Sequence, residues 1–349
     1  MSTVNAANGN PALKALNGLR VLDLSHGVAG PFAARLLGDL GADVIKVEEP
    51  VRGDLARQEE PLKPGAAEPE QSLLFQYLNW NKRGVTLDLR NEASHAALRN
   101  LVEQSDIVIE AFCPGTLDRW GIGVERLHEW NPNLVVTSVT NFGQTGPYAS
   151  YSATDLTLHA MGGIMQVSGR VDRDPLKHGL QQSLFCAGLN AAYATLAARM
   201  AVVTTGGPGE HVDLSIHEVL ASEHHSNSPI YAFLGVVQGR RAVLQDPFSG
   251  EPIPTKNGYL SLQAGGGMPF SDFADFLGIP ELRDKFATPG ARVRQASEHV
   301  GRHQHHLAGN QVRQTRAGAL VRHVGETHLR HGAEQFEHEV GAGAGAARG

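Results

Sequence analysis

The sequence lacks any excess of basic residues: 30 lysines and arginines stand against 36 aspartates and glutamates, a formal net charge of −6. Proteins that bind nucleic acids present clustered Lys and Arg side chains to phosphates, so no nucleic-acid partner is expected. Cysteine is scarce as well, with only Cys113 and Cys186, both in apolar contexts and without metal-ligand spacing. Both are predicted to be buried free thiols, and no metal site is predicted.

Long apolar runs are also missing. The first 16 residues are polar and lack the basic start and apolar run of a signal sequence, and they are expected to form a disordered leader. No later apolar stretch approaches the roughly 20 residues that span a bilayer. The expectation is a cytoplasmic protein with no membrane partner.

Short apolar segments recur through the first 150 residues and predict β-strands. Amphipathic stretches of helical spacing, such as 92–104, lie between them. Strands joined through helices need crossover connections, which indicates a mostly parallel sheet covered by helices on both faces. The predicted strands are RVLDLS (20–25), DVIKVE (43–48), VTLDL (85–89), DIVIEAF (106–112) and LVVTSV (134–139).

Helical patterns dominate beyond Thr154. Asp155 is predicted to cap a first helix, and HVDLSIHEVLASEHH (211–225) is predicted to form the third. The second is a long helix with five large apolar residues on one face: Leu189, Tyr193, Leu196, Met200 and Val203.

These patterns predict an α/β fold in which a Rossmann-like large domain, at 17–225, is followed by a smaller α+β domain. Residues 226–297 hold that small domain and the linker before it, since 226–257 are rich in Pro and Gly. A strand at 258–263 and a helix at 271–278 are predicted within it.

The segment 298–349 differs from the rest of the chain. It contains no Lys, Asp, Ile, Met, Trp or Tyr, and it holds eight of the 17 histidines, without the set spacing of a metal site. Nine large apolar residues among its 52 positions are too few to offset the entropy cost of ordering it, so disorder is predicted. Arg, His, Gly and Ala are also what a shifted frame of a GC-rich gene encodes, and the hypothesis is that frameshifted sequence replaces the natural C-terminal part.

Five segments, in order and at matching spacing, resemble one known family. They are LSHGVAGPFAARLLGDLGADVIKVEEPVRGD (24–54), NKRGVTLDLR (81–90), DIVIEAFCPGTLDRWG (106–121), FGQTGPY (142–148) and GEHVDLSIHE (209–218). On these motifs the chain is identified as a member of the class III CoA-transferases, also called the carnitine dehydratase and bile-acid-inducible family, which includes formyl-CoA transferases. The similarity continues weakly to Arg294, and the tail matches nothing in the family.

The resemblance implies an enzyme that moves CoA between an acyl-CoA and a small carboxylic acid, with no cofactor beyond CoA itself, and family members form interlocked dimers. Small residues at Gly27, Ala29 and Gly30, between a strand and a helix, would let the backbone approach a ligand; the alternative is a plain tight turn. By the resemblance, CoA contacts are predicted at Val28, Ala29, Leu87, Asp88, Leu89, Arg90, Ala111, Phe112, Cys113 and Arg119.

Arg119 suits a phosphate because a guanidinium can donate two parallel hydrogen bonds; its alternative role is a surface ion pair. Two positions depart from the family. Glu49 and Cys113 stand where relatives carry arginine, which predicts weaker or altered CoA binding.

The position of the expected catalytic residue differs more strongly from the family pattern. In the family, an aspartate four residues before a glycine attacks the thioester, and mixed anhydrides and an aspartyl-CoA thioester follow. Counting back from Gly188 gives Leu184, so the expected nucleophile is absent. Asp155 matches an acidic residue near the active site of relatives and is the catalytic candidate; its alternative is a helix cap alone.

Three functions stay open at this point. The first is a CoA-transferase, as a homodimer or as a heteromer with a related chain. The second is a CoA-binding subunit without its own nucleophile. The third is an α-methylacyl-CoA racemase, an activity that the family includes. Racemases of the family use two bases, a histidine before the acid and the family aspartate, whereas this chain has Thr154 at the histidine position and no second acid.

Overall fold

The structure is a computed structural model. It describes residues 14–67, 69–224, 227–240, 249–254, 259–263, 269–276, 278, 280 and 282–285. The described residues form two compact units, the first of which runs to Arg240 apart from residues 170–172. Most of the predicted leader and the whole segment 298–349 lie outside the described residues.

The first unit is built on a parallel sheet of six strands in the order β3-β2-β1-β4-β5-β6. This is the strand order of dinucleotide-binding α/β folds, and it confirms the predicted parallel sheet. The strands are β1 (Arg20–Asp23), β2 (Asp43–Glu48), β3 (Arg83–Thr86), β4 (Ile107–Glu110), β5 (Val135–Thr140) and β6 (His211–Ser215).

Helices connect and cover these strands. Two short 3-10 helices, Leu55–Gln58 and Glu92–Ser94, lie among them. The α-helices are α1 (Ala29–Asp39), α2 (Leu73–Asn79), α3 (His95–Val102), α4 (Thr116–Arg119), α5 (Val124–Trp130), α6 (Asp155–Met161), α7 (Ile164–Val167), α8 (Gln182–Thr205), α9 (Ile216–Ser222) and α10 (Asn227–Leu234).

The second unit contains an antiparallel pair of strands, β7 (Ser249–Pro254) and β8 (Tyr259–Gln263). Two helices follow, α11 (Phe270–Phe276) and α12 (Leu282–Lys285). The strand and the helix predicted here are confirmed by β8 and α11. The segment 226–257 is not only a linker, because α10 and β7 lie in it.

Two hydrophobic clusters enclose the sheet, one of which includes α1 and α8. These two helices approach closely at Gly188, where an added Cβ would lie 2.5 Å from the carbonyl oxygen of Ala29. The buried face of α8 therefore consists of small residues, including Ala187 and Ala191. The predicted large apolar face is largely exposed: only Leu196 packs against the core, whereas Leu189, Tyr193, Met200 and Val203 are exposed.

Three sequence predictions need correction. Residues 211–225 do not form one helix. His211–Ser215 pairs with β5 as an edge strand, and the helix α9 begins only after it, at Ile216. Thr154, not Asp155, caps α6, since its Oγ1 accepts from the backbone of Thr157. Finally, α8 has 24 residues and by length and composition alone could cross a membrane, a test that core helices of soluble proteins also pass.

Candidate active site

A pocket opens at the carboxyl ends of β1, β2, β3 and β4, where open α/β sheets usually bind ligands. Its cavity volume is about 220 Å³. Its walls come from the segments that leave these four strands, because parallel strands end at the same edge of the sheet. The lining residues are Leu24, Ser25, His26, Lys46, Val47, Glu48, Glu49, Gly53, Asp54, Leu55, Leu87, Asp88, Leu89, Arg90, Phe112 and Trp120.

The structure gathers half of the predicted CoA contacts in this pocket. Leu87, Asp88, Leu89 and Arg90 lie there because β3 ends at Thr86, earlier than predicted, so that the next four residues turn away from the sheet. Phe112 completes this group and packs edge-on against the Trp120 ring, with 5.1 Å between centroids. The other predicted contacts do not line the pocket: Val28, Ala29, Ala111, Cys113 and Arg119.

Arg119 and Cys113 differ from their sequence interpretations. The Arg119 guanidinium donates to the Thr116 hydroxyl at 2.7 Å, a contact within α4. Cys113 was predicted to be buried but is exposed, whereas Cys186 is partly buried; both are free thiols, as predicted. Cys113 is exposed because β4 ends at Glu110, and three residues later the chain lies outside the core.

A buried ion network lies at the base of the pocket, and the sequence analysis missed it. Lys46 is 2% exposed, and its Nζ lies 2.6 Å from Asp54 Oδ2 and 3.7 Å from Asp23 Oδ2. Lys82 Nζ approaches the same oxygen of Asp23 at 2.8 Å. The only sequence signal is a lysine inside the otherwise apolar strand DVIKVE.

In this network, burial and ion pairing shift the pKa values in opposite directions. Burial by itself raises the pKa of Asp23, but attraction to Lys46 and Lys82 is stronger and lowers it. Burial by itself lowers the pKa of Lys46, but Asp23 and Asp54 raise it. For Lys82 burial dominates and lowers the pKa to about 8. Lys46 is therefore the fixed positive charge of the network.

Two ion pairs hold the residues at the end of β2. Glu48 binds the guanidinium of Arg57 through both carboxylate oxygens, at 2.7 and 2.9 Å. Next to it, Glu49 accepts from Arg90 Nη2 at 2.8 Å, and Asp88 accepts from Arg90 Nε at 2.8 Å. The mouth of the pocket thus carries two carboxylates and one guanidinium.

Glu110, at the end of β4, supports the pocket wall from behind. It is 3% exposed, and Oε2 accepts from the backbone amide of Phe112 at 2.7 Å. Burial raises the pKa of Glu110 to about 7, against hydrogen bonds from Ser138 and Phe112 that lower it. This carboxyl therefore changes charge near neutral pH.

Asp155 lies away from this pocket and joins α6 to the start of α8. Its Oδ1 accepts hydrogen bonds from both the hydroxyl and the backbone amide of Ser183. Its Oδ2 lies 2.8 Å from Lys177 Nζ, and its backbone oxygen accepts from Nδ1 of the buried His159. The Asp155 side chain is 12% exposed.

Leu184 occupies the first turn of α8, directly after Ser183. Its side chain is partly buried and packs against the hydrophobic core, as do the neighbouring Phe32 and Phe185. An apolar contact therefore stands at the position where the resemblance predicts the family carboxylate. Among the described residues, no group of three or more His, Cys, Asp or Glu side chains is placed to hold a metal ion.

A family model, CoA-transferase family III, matches residues 16–324. The match passes Arg294 and enters the segment 298–349, contrary to the expectation that this segment matches nothing in the family. Succinate–glutarate CoA-transferase of Agrobacterium fabrum is 34% identical over 285 residues, which are 80% of this chain and 70% of the relative. Formyl-CoA:oxalate CoA-transferase of Streptomyces avermitilis is 34% identical over 307 residues, covering 82% and 73%.

Two further similarities bear on assembly and fold. The β subunit of succinyl-CoA–L-malate CoA-transferase from Chloroflexus aurantiacus is 32% identical over 294 residues, 83% of this chain and 71% of the relative. A crystal structure of a CAIB/BAIF family protein from Brucella suis superposes with a TM-score of 0.70 at 34% identity, covering 82% of this chain and 76% of the other.

Proposed function

The chain belongs to CoA-transferase family III, and from this membership we propose that it moves CoA from an acyl-CoA to a free carboxylic acid. The observation that carries the proposal is the pocket at the carboxyl ends of β1–β4, which five of the ten predicted CoA contacts line. CoA is the substrate carrier, and the donor and acceptor acids are small carboxylates like those named in the relatives.

The pocket suits the nucleotide end of CoA. Phe112 and Trp120 supply aromatic surface for a base, and Leu87 and Leu89 supply apolar wall. No described side chain caps the amides at the start of α1, which begins three residues after His26 of the pocket wall, so the helix dipole beside the pocket favours a phosphate. These features support binding of CoA.

Transfer needs a carboxylate, and we assign this role to Asp155. One of its oxygens would attack the thioester carbonyl carbon, the C–S bond would break, and CoA would leave as a thiolate. The thiolate would then attack the carbonyl carbon of Asp155 and release the donor acid. The acceptor carboxylate would reverse these two steps, forming the new acyl-CoA and restoring Asp155.

The position of Asp155 supports this assignment. Its Oδ1 lies 3.3 Å from the backbone nitrogen of Ser183, one residue from Leu184, where the family nucleophile is expected. A carboxylate from α6 therefore reaches the start of α8 from outside the helix. Lys177 Nζ, at 2.8 Å from Asp155 Oδ2, would stabilise the oxyanion that forms on this oxygen when the thiolate attacks the Asp155 carbonyl carbon.

A second candidate function is that of a CoA-binding subunit in a heteromer with a related chain that supplies the nucleophile. The packing of Leu184 against the core favours it, and so do the three partners that already engage the Asp155 carboxylate. A relative named as a β subunit gives this form of assembly a precedent.

A trapping experiment separates the two. The full chain is incubated with succinyl-CoA and then with borohydride, which reduces an enzyme-CoA thioester to an alcohol, and the peptides are read by mass spectrometry. The transferase proposal predicts a modified Asp155, lost in Asp155→Asn and retained in Asp174→Asn, which changes an exposed acid. If calorimetry shows that the chain binds CoA but no carboxyl is modified, the CoA-binding subunit is favoured. If the chain does not bind CoA, both candidate functions are ruled out.

A further inference from the structure

We propose that Asp54 is a positioning residue of the pocket, which holds the turn between β1 and α1 in the conformation that binds CoA. The turn consists of residues 25–27 and leads into the start of α1. The inference rests on the proposed function and concerns the same pocket, because Asp54 and His26 of the turn both line it.

The Asp54 carboxylate contacts the turn directly. Asp54 is 3% exposed, and its Oδ1 accepts hydrogen bonds from the backbone amide of Gly27 at 2.9 Å and from that of Ala56 at 2.8 Å. Gly27 follows β1, whereas Asp54 follows β2. The carboxylate therefore joins two walls of the pocket, the turn after β1 and the segment after β2 that contributes Gly53 and Leu55.

The ion partner of Asp54 holds the other end of the turn. Lys46 Nζ lies 2.6 Å from Asp54 Oδ2, and it also donates to the backbone oxygen of Ser25. One buried ion pair thus binds the first residue of the turn through its cation and the last residue, Gly27, through its anion. His26, which lines the pocket, lies between these two anchored residues.

The backbone of Asp54 is itself fixed to the end of β2. Its amide donates to Glu48 Oε2 at 2.9 Å. The Glu48 carboxylate also binds Arg57 through both oxygens, and the Arg57 guanidinium lies 3.7 Å from the centre of the Phe75 ring. Because these contacts hold Asp54 in place, its carboxylate can fix the turn relative to the sheet.

The conformation of Gly27 and the charge of Asp54 both favour a role in position. Gly27 has a φ of +75°, and glycine loses more conformational freedom on folding than any other residue, so the turn needs a restraint. The charge of Asp54 by itself does not favour CoA, because a carboxylate repels the phosphates of this ligand. A role in position and a role in charge therefore predict opposite changes in CoA binding when the carboxylate is removed.

Calorimetry with the full chain and CoA as the probe tests this role. Asp54→Ala removes the acceptor for the Gly27 amide and is expected to raise the dissociation constant for CoA by about tenfold or more, the effect of one lost charge-assisted hydrogen bond. Asp54→Asn keeps an oxygen that can accept from this amide, so it should restore most of that loss. Unchanged or tighter binding by Asp54→Ala, or equal losses in the two variants, would overturn the positioning role and leave the proposed function intact.

Asn131→Ala is the matched control for lost stability. Asn131 donates to the backbone oxygens of Val102 and Ser105 at 3.1 and 2.7 Å, and it does not line the pocket. This variant should lower the midpoint of urea unfolding and leave CoA binding unchanged. A loss of CoA binding as large as that of Asp54→Ala would assign the Asp54 effect to lost stability and overturn the positioning role.

Gly27→Ala tests the same turn if Asp54→Ala does not fold. Apart from its chain neighbours, none of the described residues has an atom within 4 Å of a Cβ added at Gly27, but a φ of +75° is unfavourable for alanine. The variant is expected to bind CoA more weakly than the wild type, and equal binding would overturn the inference. Failure of the wild type to bind CoA would overturn both the inference and the proposed function.

Discussion

Asp155 and Ser183 lie 28 residues apart in the sequence, yet Asp155 Oδ1 accepts hydrogen bonds from both the backbone amide and the hydroxyl of Ser183. The contact fixes the start of α8 to the first turn of α6. It also brings a carboxylate to the residue that precedes Leu184. The sequence shows no acid at Leu184, and the fold places one beside it.

The first prediction concerns this contact. Ser183 is fully buried, so Ser183→Ala removes a hydrogen bond to a charged acceptor and should lower the free energy of unfolding by about 1.5–3 kcal/mol. Urea titration followed by circular dichroism measures it. The exposed Ser150→Ala serves as the control and should change stability by less than about 0.5 kcal/mol. Equal stability of the two variants would show that this hydrogen bond does not stabilise the fold.

The second prediction concerns Lys46. Lys46→Met leaves Asp54 without its cation and Asp23 with Lys82 alone, so the free energy of unfolding should fall by about 3–5 kcal/mol, the usual cost of breaking a buried ion pair. Arg126→Met breaks an exposed pair with Glu129 and should cost at most about 1 kcal/mol. A loss for Lys46→Met as small as that of the surface variant would show that water reaches the network.

The third prediction follows from the pKa of Glu110, raised by burial to about 7. Between about pH 4.5 and pH 7 the unfolded chain has released a proton that folded Glu110 still holds. This residue therefore makes the free energy of unfolding fall as the pH rises through that window, by at most about 3 kcal/mol, and adds no further change above it.

Glu110→Gln keeps an acceptor for the Phe112 amide and removes the titration. Its stability relative to the wild type should therefore rise by up to about 3 kcal/mol between pH 5 and pH 8, measured by urea unfolding at each pH. Glu125→Gln, an exposed acid on α5, is the control and should show no such rise. A Glu110→Gln variant whose relative stability is the same at both pH values would refute the titration of Glu110 in this range.

The fourth prediction concerns the two thiols. Burial, a hydrogen bond with Glu223 and the charges of Glu223 and Asp155 raise the pKa of Cys186 to about 12, so it stays protonated and unreactive at pH 8. Cys113 is exposed and should react with Ellman's reagent. One thiol per folded chain and two per denatured chain are expected, and Cys113→Ala should leave none in the folded protein. Rapid labelling of a second thiol in the fold would contradict the environment described for Cys186.

Short segments of the sequence determine part of this architecture by themselves. The strand DVIKVE is β2 to the residue, and four other predicted strands overlap β1, β3, β4 and β5. Burial on both faces explains the apolar runs of β1, β2, β4 and β5, whereas β3 at the edge of the sheet is largely exposed. The strand β6 was missed, since HVDLS joins the sheet only because the edge of β5 is available to pair with it.

The features of the candidate site likewise divide into those that the sequence predicts and those that depend on tertiary packing. The sequence by itself determined the family, the pocket segments after β3 and β4, and the absence of an acid at Leu184, because these depend on motifs and on residues that are neighbours in the chain. The tertiary structure decided that Lys46 is held between Asp23 and Asp54, that Glu49 binds Arg90, and that Asp155 reaches Ser183. Each of these contacts joins residues from different elements, so only packing of the helices and strands against one another could bring them together.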